Sequence, residues 1–134
     1  MEKQIIRKKM KEFWDQKFGQ EDYVYGKNPN VFFKTCMDQL SPGRMLLPAE
    51  GEGRNAVYAA RKGWKVTAFD SSQEAQKKAN KLAREQQVQI DYHLKDFEQF
   101  DWEENFFDCI ALIYAHQLPE YRRQYYRKLL HYLK

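Results

Sequence analysis

From residue 44 to the end of the chain, short apolar segments alternate with segments of helical periodicity. Strands that alternate with helices form a parallel sheet with helices on both faces, because each helix carries the chain back across the sheet before the next strand. We therefore predict an α/β fold with a parallel sheet flanked by helices. The predicted strands are 44–48, 65–69, 88–94 and 106–114, and the predicted helices are 54–61, 73–86 and 119–133.

The segment before this alternating pattern is rich in aromatic side chains. Apolar residues recur every three or four positions over 5–18, which predicts an amphipathic helix. A second helix is predicted over 29–40, with a proline near its first turn and a Ser-Pro-Gly break after it. The chain of 134 residues suits one domain, in which we expect 1–43 to form a helical cover and 44–134 the core.

Composition argues against several classes of protein. The sequence has no run of 18 apolar residues and no apolar signal segment at its start, so we predict neither a membrane span nor secretion. Cys36 and Cys109 stand apart, without the spacing of a metal site, and are interpreted as reduced core residues. We therefore expect a cytoplasmic protein that binds no metal.

The net charge of +4 is unevenly distributed. Residues 1–17 carry +3 and residues 121–134 carry +5, whereas 18–120 carry −4. The basic ends are interpreted as solvated helix faces, because no nucleic-acid recognition motif accompanies them. We expect no nucleic-acid partner.

A glycine-rich turn over 50–53 follows the first predicted strand and opens the next helix. Glycines there let the backbone bend sharply and approach a ligand, and ligands of open α/β sheets bind at the carboxyl ends of the strands. Asp70 follows the second strand, 19 residues after Gly51, where a carboxylate can accept bonds from both ribose hydroxyls of a nucleoside. The alternative is that Asp70 only caps the following helix, a role that Ser71 or Ser72 can also fill.

Asp96 and Phe97 follow the third strand. A carboxylate at this position can accept a hydrogen bond from the amino group of adenine, while the phenyl ring packs against the base. The alternative is that Asp96 is a solvated acid of the loop.

Two adenine cofactors fit these residues. The run Gly51 to Ala56 matches the dinucleotide fingerprint Gly-x-Gly-x-x-Gly/Ala, which makes NAD one candidate. Glu50 and Glu52 flank the turn, however, and carboxylates oppose a pyrophosphate while favouring a cation. The aromatic cover also suits a sulphonium, which is attracted to ring faces. The residues therefore favour S-adenosylmethionine (SAM).

Six segments resemble class I SAM-dependent methyltransferases, with a cover like that of the tellurite-resistance and thiopurine methyltransferase group. These are 46–58 (motif I), 66–70 (motif II), 95–97 (motif III), 107–110 (fourth strand), and 13–15 together with 25–29 (the cover). The resemblance implies a Rossmann-like sheet in the order 3-2-1-4 that binds SAM and releases S-adenosylhomocysteine. It implies that Glu50, Gly51 and Gly53 line the methionine part, that Asp70 holds ribose, and that Asp96 and Phe97 hold adenine. It also implies that the segment from Ala111 to Tyr114 passes the reactive end, which Trp14 and Tyr25 cover. Asn55 and Ser71 are further candidates for binding the cofactor.

The chain departs from this family at two places. Leu47 and Ala49 stand where the family usually has an acidic residue and its first glycine, and Pro48 removes a strand donor. The chain also ends where family members continue into a fifth strand and a final hairpin. The predicted strand 106–114, apolar enough to be buried on both faces, then lies at an edge. We therefore predict a C-terminally truncated domain, or a homodimer formed through this edge.

Methyl transfer is an in-line displacement in which positioning supplies most of the rate. His116 or Tyr114, after the fourth strand, is a candidate base for a protonated acceptor. We expect a methyltransferase that acts on a small-molecule acceptor. The alternatives are an NAD(P)-dependent oxidoreductase domain and a catalytically incomplete fragment that binds SAM.

Overall fold

The computed structural model describes residues 2–115 and 117–134, and it confirms the α/β architecture. Five helices and four strands follow one another in the described part of the chain. They are α1 (Glu2–Phe18), α2 (Val31–Met37), β1 (Arg44–Pro48), α3 (Arg54–Arg61), β2 (Lys65–Asp70), α4 (Gln73–Glu85), β3 (Asp91–Leu94), β4 (Cys109–Ile110) and α5 (Pro119–Leu130).

The four strands form one parallel sheet in the order β3-β2-β1-β4, as predicted. In the register, Met45 of β1 lies between Val66 of β2 and Cys109 of β4. The side chains of Met45, Leu46 and Leu47 are at most 1% exposed. The central position of β1 explains this burial, since both edges of the strand are paired and both faces are covered.

Alternate side chains of β1 enter two different cores. Met45 and Leu47 pack with Phe33, Trp64 and the alanines of α3 on one face of the sheet. Leu46 packs on the other face with an aromatic cluster from β2, the loop after β3 and α5. The two cores follow from the two-residue period of a strand. Because helices cover both faces, the ligand-accessible region is the edge where β1 and β2 end.

The fourth strand is shorter and less buried than predicted. Only Cys109–Ile110 pair with β1, and both residues are half-buried. Leu112 is 41% exposed and Tyr114 is 69% exposed. The prediction of a strand over 106–114 buried on both faces is therefore wrong. The physical reason is its edge position, which gives it one paired neighbour along most of its length.

The last residues of the chain begin to cover that edge. Phe107 forms a parallel bridge with Leu133, and the Lys134 amide donates to the Phe107 carbonyl at 2.9 Å. Helix α5 consequently ends at Leu130, three residues earlier than predicted. Other element ends also differ, because β3 begins at Asp91 and α2 spans Val31–Met37. No helix in the described part of the chain is long and apolar enough to cross a membrane.

Candidate functional site

A cavity of about 350 Å³ opens where β1 and β2 end, beneath α1. Its wall combines side chains from α1, the glycine loop, the end of β2 and the loops after β3 and β4. The structure thus brings together most residues of the predicted cofactor-binding set and one candidate base. Those that line the cavity are Trp14, Tyr25, Glu50, Gly51, Asn55, Asp70, Ser71, Asp96, Phe97 and Tyr114.

Two predicted residues have other positions, and a third is not described. Gly53 is the buried residue before α3, and it packs against Ala79 of α4 instead of facing the cavity. Ala111 lies outside the cavity wall, because its amide donates to the Leu46 carbonyl and its side chain packs on the sheet core. His116 lies outside the described residues.

The glycine loop is held in a left-handed conformation by its neighbours. Gly51 has a φ of +65° and Gly53 a φ of +87°, values that favour glycine. The Gly51 carbonyl accepts a 2.6 Å bond from the hydroxyl of Tyr92 on β3. Ala49, at the position of the family's first glycine, also has a positive φ of 51°. The backbone turn is therefore kept at this position, at a cost of about 1 kcal/mol for a residue with a Cβ.

Glu50 is a buried carboxyl group at the start of α3. It is 8% exposed, and its Oε2 accepts a 2.5 Å bond from the Ala56 amide. Since Gly53 has no side chain with which to cap α3, Glu50 satisfies one of the free amides of its first turn. Burial raises the pKa of Glu50 to about 8, although the amide bond and Arg54 oppose the shift. The group is therefore largely protonated at neutral pH in the ligand-free protein.

We predict that the ligand-free protein loses stability as the pH rises from about 4.5 to about 8. In this window the unfolded chain has released the Glu50 proton while the folded protein still holds it, so the unfolding free energy falls with pH. One proton contributes a slope of at most about 1.4 kcal/mol per pH unit. Asp70 adds to the trend, because burial raises its pKa as well.

Urea unfolding at several pH values across this window measures the slope. Glu50→Gln has no titrating group at this position and is expected to give a flatter profile. Equal slopes for the wild type and Glu50→Gln would contradict the assignment.

Asp70 links the two strand ends below the cavity. Its Oδ2 accepts from the Gly51 amide at 2.9 Å and its Oδ1 from the Ser72 amide at 3.0 Å. Helix α4 is capped by Ser72, whose Oγ accepts from the Ala75 amide. The cap of α4 is therefore Ser72, and the Asp70 carboxyl group lines the cavity.

Asp96 forms an ion pair with a residue that was not among the predicted site residues. Arg7 of α1 binds Asp96 Oδ2 through Nε and Nη2, both at 2.6 Å. Asp96 Oδ1 accepts from the amides of Glu98 and Gln99, which fixes the turn after β3. Phe97 is buried and packs edge-on against Phe69. The sequence feature that could have indicated Arg7 is its position on one face of α1, since Met10, Trp14 and Phe18 follow it at spacings of three and four.

The aromatic cover already faces a cation. The Lys17 ammonium lies 5.0 Å from the ring centroid of Trp14 and 5.2 Å from that of Tyr25, and it donates to the Tyr25 hydroxyl at 3.1 Å. Trp14 also stacks on Phe18, with ring centroids 5.3 Å apart. These ring faces therefore attract positive charge, and the chain itself supplies one cation, Lys17.

Glu52 is neutralised within the protein. Its Oε2 lies 2.8 Å from Nζ of Lys78, and its Oε1 accepts from the Val24 amide at 2.8 Å. The expectation that Glu50 and Glu52 together oppose a pyrophosphate is therefore corrected. The charge of Glu52 is compensated by a lysine 26 residues away in the sequence, which no local pattern could indicate.

Comparison with known proteins identifies the family. Residues 48–134 match the family model described as a methyltransferase domain, which covers more than half of the chain. The chain belongs to this methyltransferase family. A search of curated proteins finds no significant match.

Solved structures share the fold of this methyltransferase domain at low sequence identity. One, from work on the conversion of a disulfide bond into a thioacetal group during echinomycin biosynthesis, is 22% identical over 93% of this chain and 56% of its own, with a TM-score of 0.75. Phosphoethanolamine N-methyltransferase 1 of Haemonchus contortus, in complex with phosphoethanolamine and S-adenosylhomocysteine, is 16% identical, with a TM-score of 0.76. The match covers 96% of this chain and 30% of the other. The plantazolicin methyltransferase BpumL, in complex with S-adenosylhomocysteine, is 22% identical, with a TM-score of 0.60. The match covers 77% of this chain and 39% of BpumL.

This methyltransferase domain spans between 30% and 56% of the length of those three chains. The fold and the methyltransferase family predicted from the sequence are thus confirmed. The finer resemblance to the tellurite-resistance and thiopurine methyltransferase group stays a prediction.

Proposed function

We propose that this domain binds SAM and takes part in methyl transfer to a small-molecule acceptor. The observation that carries the proposal is the pair of buried carboxyl groups, Glu50 and Asp70, on one cavity at the ends of adjacent parallel strands. A carboxylate at the end of β2 suits the ribose hydroxyls of a nucleoside, and a carboxyl group beside the glycine turn suits an ammonium. Membership of the methyltransferase family supports SAM over a dinucleotide.

Each part of the cofactor has residues that fit it. Asp70 would accept the ribose hydroxyls, while Glu50 and Gly51 would hold the methionine part. Asp96 and Phe97 would hold adenine, so the adenine amino group must share Asp96 with Arg7. Trp14 and Tyr25 would cover the sulphonium.

When bound, SAM supplies a methyl group on a positively charged sulphur, a good leaving group. The protein's task is to align an acceptor with that methyl group and to exclude water. Where the acceptor carries a proton, Tyr114 and His116 are candidates to receive it. Tyr114 lines the cavity, with a φ of 51° and a side chain 69% exposed.

Three further assignments belong to this proposal. The aromatic cover supports a place near the tellurite-resistance and thiopurine methyltransferases, and the composition supports a cytoplasmic location. The partly paired β4 edge, with Leu112 exposed beside it, supports a homodimer interface. Sedimentation of the purified chain as a monomer across micromolar concentrations would remove the dimer.

Thermal unfolding with S-adenosylhomocysteine or NADH tests the cofactor. We expect S-adenosylhomocysteine to raise the melting temperature, since a ligand at a hundredfold excess over its Kd stabilises the folded state by about 2.7 kcal/mol. NADH at the same concentration is expected to leave it unchanged. Stabilisation by NADH but not by S-adenosylhomocysteine would instead select the dinucleotide alternative. Binding of S-adenosylhomocysteine without turnover of any tested acceptor would identify a catalytically incomplete fragment.

A further inference from the structure

A segment without helix or strand runs across the glycine loop between α1 and α2. We call residues 22–30 the strap. Its central turn places Tyr25 on the cavity wall, with the Gly26 amide bonded to the Tyr23 carbonyl at 3.2 Å. A segment of this kind has few backbone bonds of its own, so other residues must hold it in place.

Glu52 holds the first half of the strap. Its side chain is 3% exposed, and it accepts hydrogen bonds from the Val24 amide and the Lys78 ammonium, both at 2.8 Å. Lys78 Nζ also donates to the Asp22 carbonyl at 2.7 Å, while the Tyr23 hydroxyl donates to the Lys78 carbonyl at 2.9 Å. A buried carboxylate thus joins the strap, the glycine loop and α4 in one network.

Arg54 and Asn55 hold the second half. Asn55 is 4% exposed, and its Oδ1 accepts a hydrogen bond from the Asn30 amide at 2.8 Å. Arg54 Nη1 donates to the Asn28 carbonyl at 3.4 Å, and its guanidinium lies 5.7 Å from the ring centroid of Tyr25. Asn30 in turn caps α2 by accepting the Phe33 amide. The first turn of α3 therefore sets where the strap ends and where α2 begins.

We infer that Glu52, Arg54 and Asn55 are positioning residues that hold the strap on the glycine loop and thereby place Tyr25 over the bound ligand. The inference rests on the proposed function for the identity of that ligand. Glu52, Arg54 and Asn55 line the cavity, yet each bonds to the backbone of the strap, at Val24, Asn28 and Asn30 respectively. Through these bonds they contribute to binding by way of the strap. Loosening the strap then weakens binding because Tyr25 leaves its place.

A double-mutant cycle on S-adenosylhomocysteine affinity tests this coupling. By calorimetry, we expect Glu52→Ala and Tyr25→Ala each to weaken binding about tenfold, and the double variant to bind no more weakly than either, because both remove the same contribution. Independent, multiplying losses would show that Glu52 does not act through Tyr25. Unchanged affinity in Glu52→Ala would overturn the inference outright. Glu85→Gln is the control, since it loosens the exposed Lys27–Glu85 pair at 3.4 Å on the same strap and should change affinity less than twofold.

Amide hydrogen exchange without ligand decides whether these side chains hold the strap. In Glu52→Ala we expect the Val24 amide to exchange at least about tenfold faster, with the amides of β1 and β2 unchanged. Asn55→Ala should do the same at Asn30, and Asn55→Asp, which keeps an acceptor oxygen, should restore protection. Exchange at wild-type rates in both alanine variants would overturn the inference. Absence of S-adenosylhomocysteine binding by the wild type would overturn the proposed function instead, and the exchange result would still decide how the strap is held.

Discussion

Gly53→Ala is expected to lower the unfolding free energy by about 2 to 5 kcal/mol. A Cβ at this position would lie 2.6 Å from Ala79 Cβ and 2.9 Å from Ala79 Cα, and the φ of +87° disfavours any side chain. The left-handed conformation costs about 1 to 2 kcal/mol and overpacking about 1 to 3 kcal/mol. Because one neighbour is the backbone of α4, helices α3 and α4 must move apart. Urea unfolding measures the loss.

Gly26→Ala is the matched control for this prediction. Gly26 has a φ of +78°, and no heavy atom of the described residues lies within 4 Å of its added Cβ. Only the conformational cost of about 1 to 2 kcal/mol applies there. Equal losses in the two variants would show that close approach to α4 contributes nothing, and that Gly53 is required for its backbone angle alone.

Asp70→Ala is expected to weaken S-adenosylhomocysteine binding about a hundredfold and to lower the unfolding free energy by about 2 to 4 kcal/mol. The substitution removes the proposed ribose acceptor, and it leaves the buried amides of Gly51 and Ser72 without their carboxylate partner. Calorimetric titration measures the affinity, and urea unfolding measures the stability.

Two variants separate the binding effect of Asp70 from its structural one. Asp70→Asn keeps the shape of the side chain but replaces one acceptor oxygen with a donor, so we expect intermediate losses in both measurements. Ser72→Ala removes the cap of α4 without changing the carboxylate, and it should lower stability by about 1 kcal/mol with little change in affinity. Tight binding that survives Asp70→Ala would remove this residue from the site.

The difference between Glu50 and Glu52 shows where sequence reasoning reaches its limit. The two carboxyl groups are separated by one residue and have the same local context, so the sequence treats them alike. In the fold, Glu50 turns to the Ala56 amide beside the cavity, whereas Glu52 turns to Lys78 and Val24. The partner of Glu50 is in the neighbouring helix α3, whereas the partners of Glu52 come from the strap and from α4.

Arg7 and β4 show the same limit. A basic residue on α1 finds its acidic partner 89 positions later, after the third strand, and only the packing of α1 over the cavity brings them together. The fourth strand has an apolar composition typical of a central strand, yet its exposure is set by what lies beside it in the sheet. Apolar content indicates the capacity to be buried, while burial itself requires neighbours.

The sequence by itself determined the order of strands and helices, the turn at 50–53 and the placement of acidic residues at strand ends. These features are local, since they depend on side-chain periodicity, on glycine's access to positive φ and on the rule that parallel strands end at one edge. Only the tertiary structure decided which partners the carboxyl groups of Glu50 and Glu52 bind on the cavity wall, and how long β4 is. Those outcomes depend on contacts between residues far apart in the chain, and a local pattern carries no information about them.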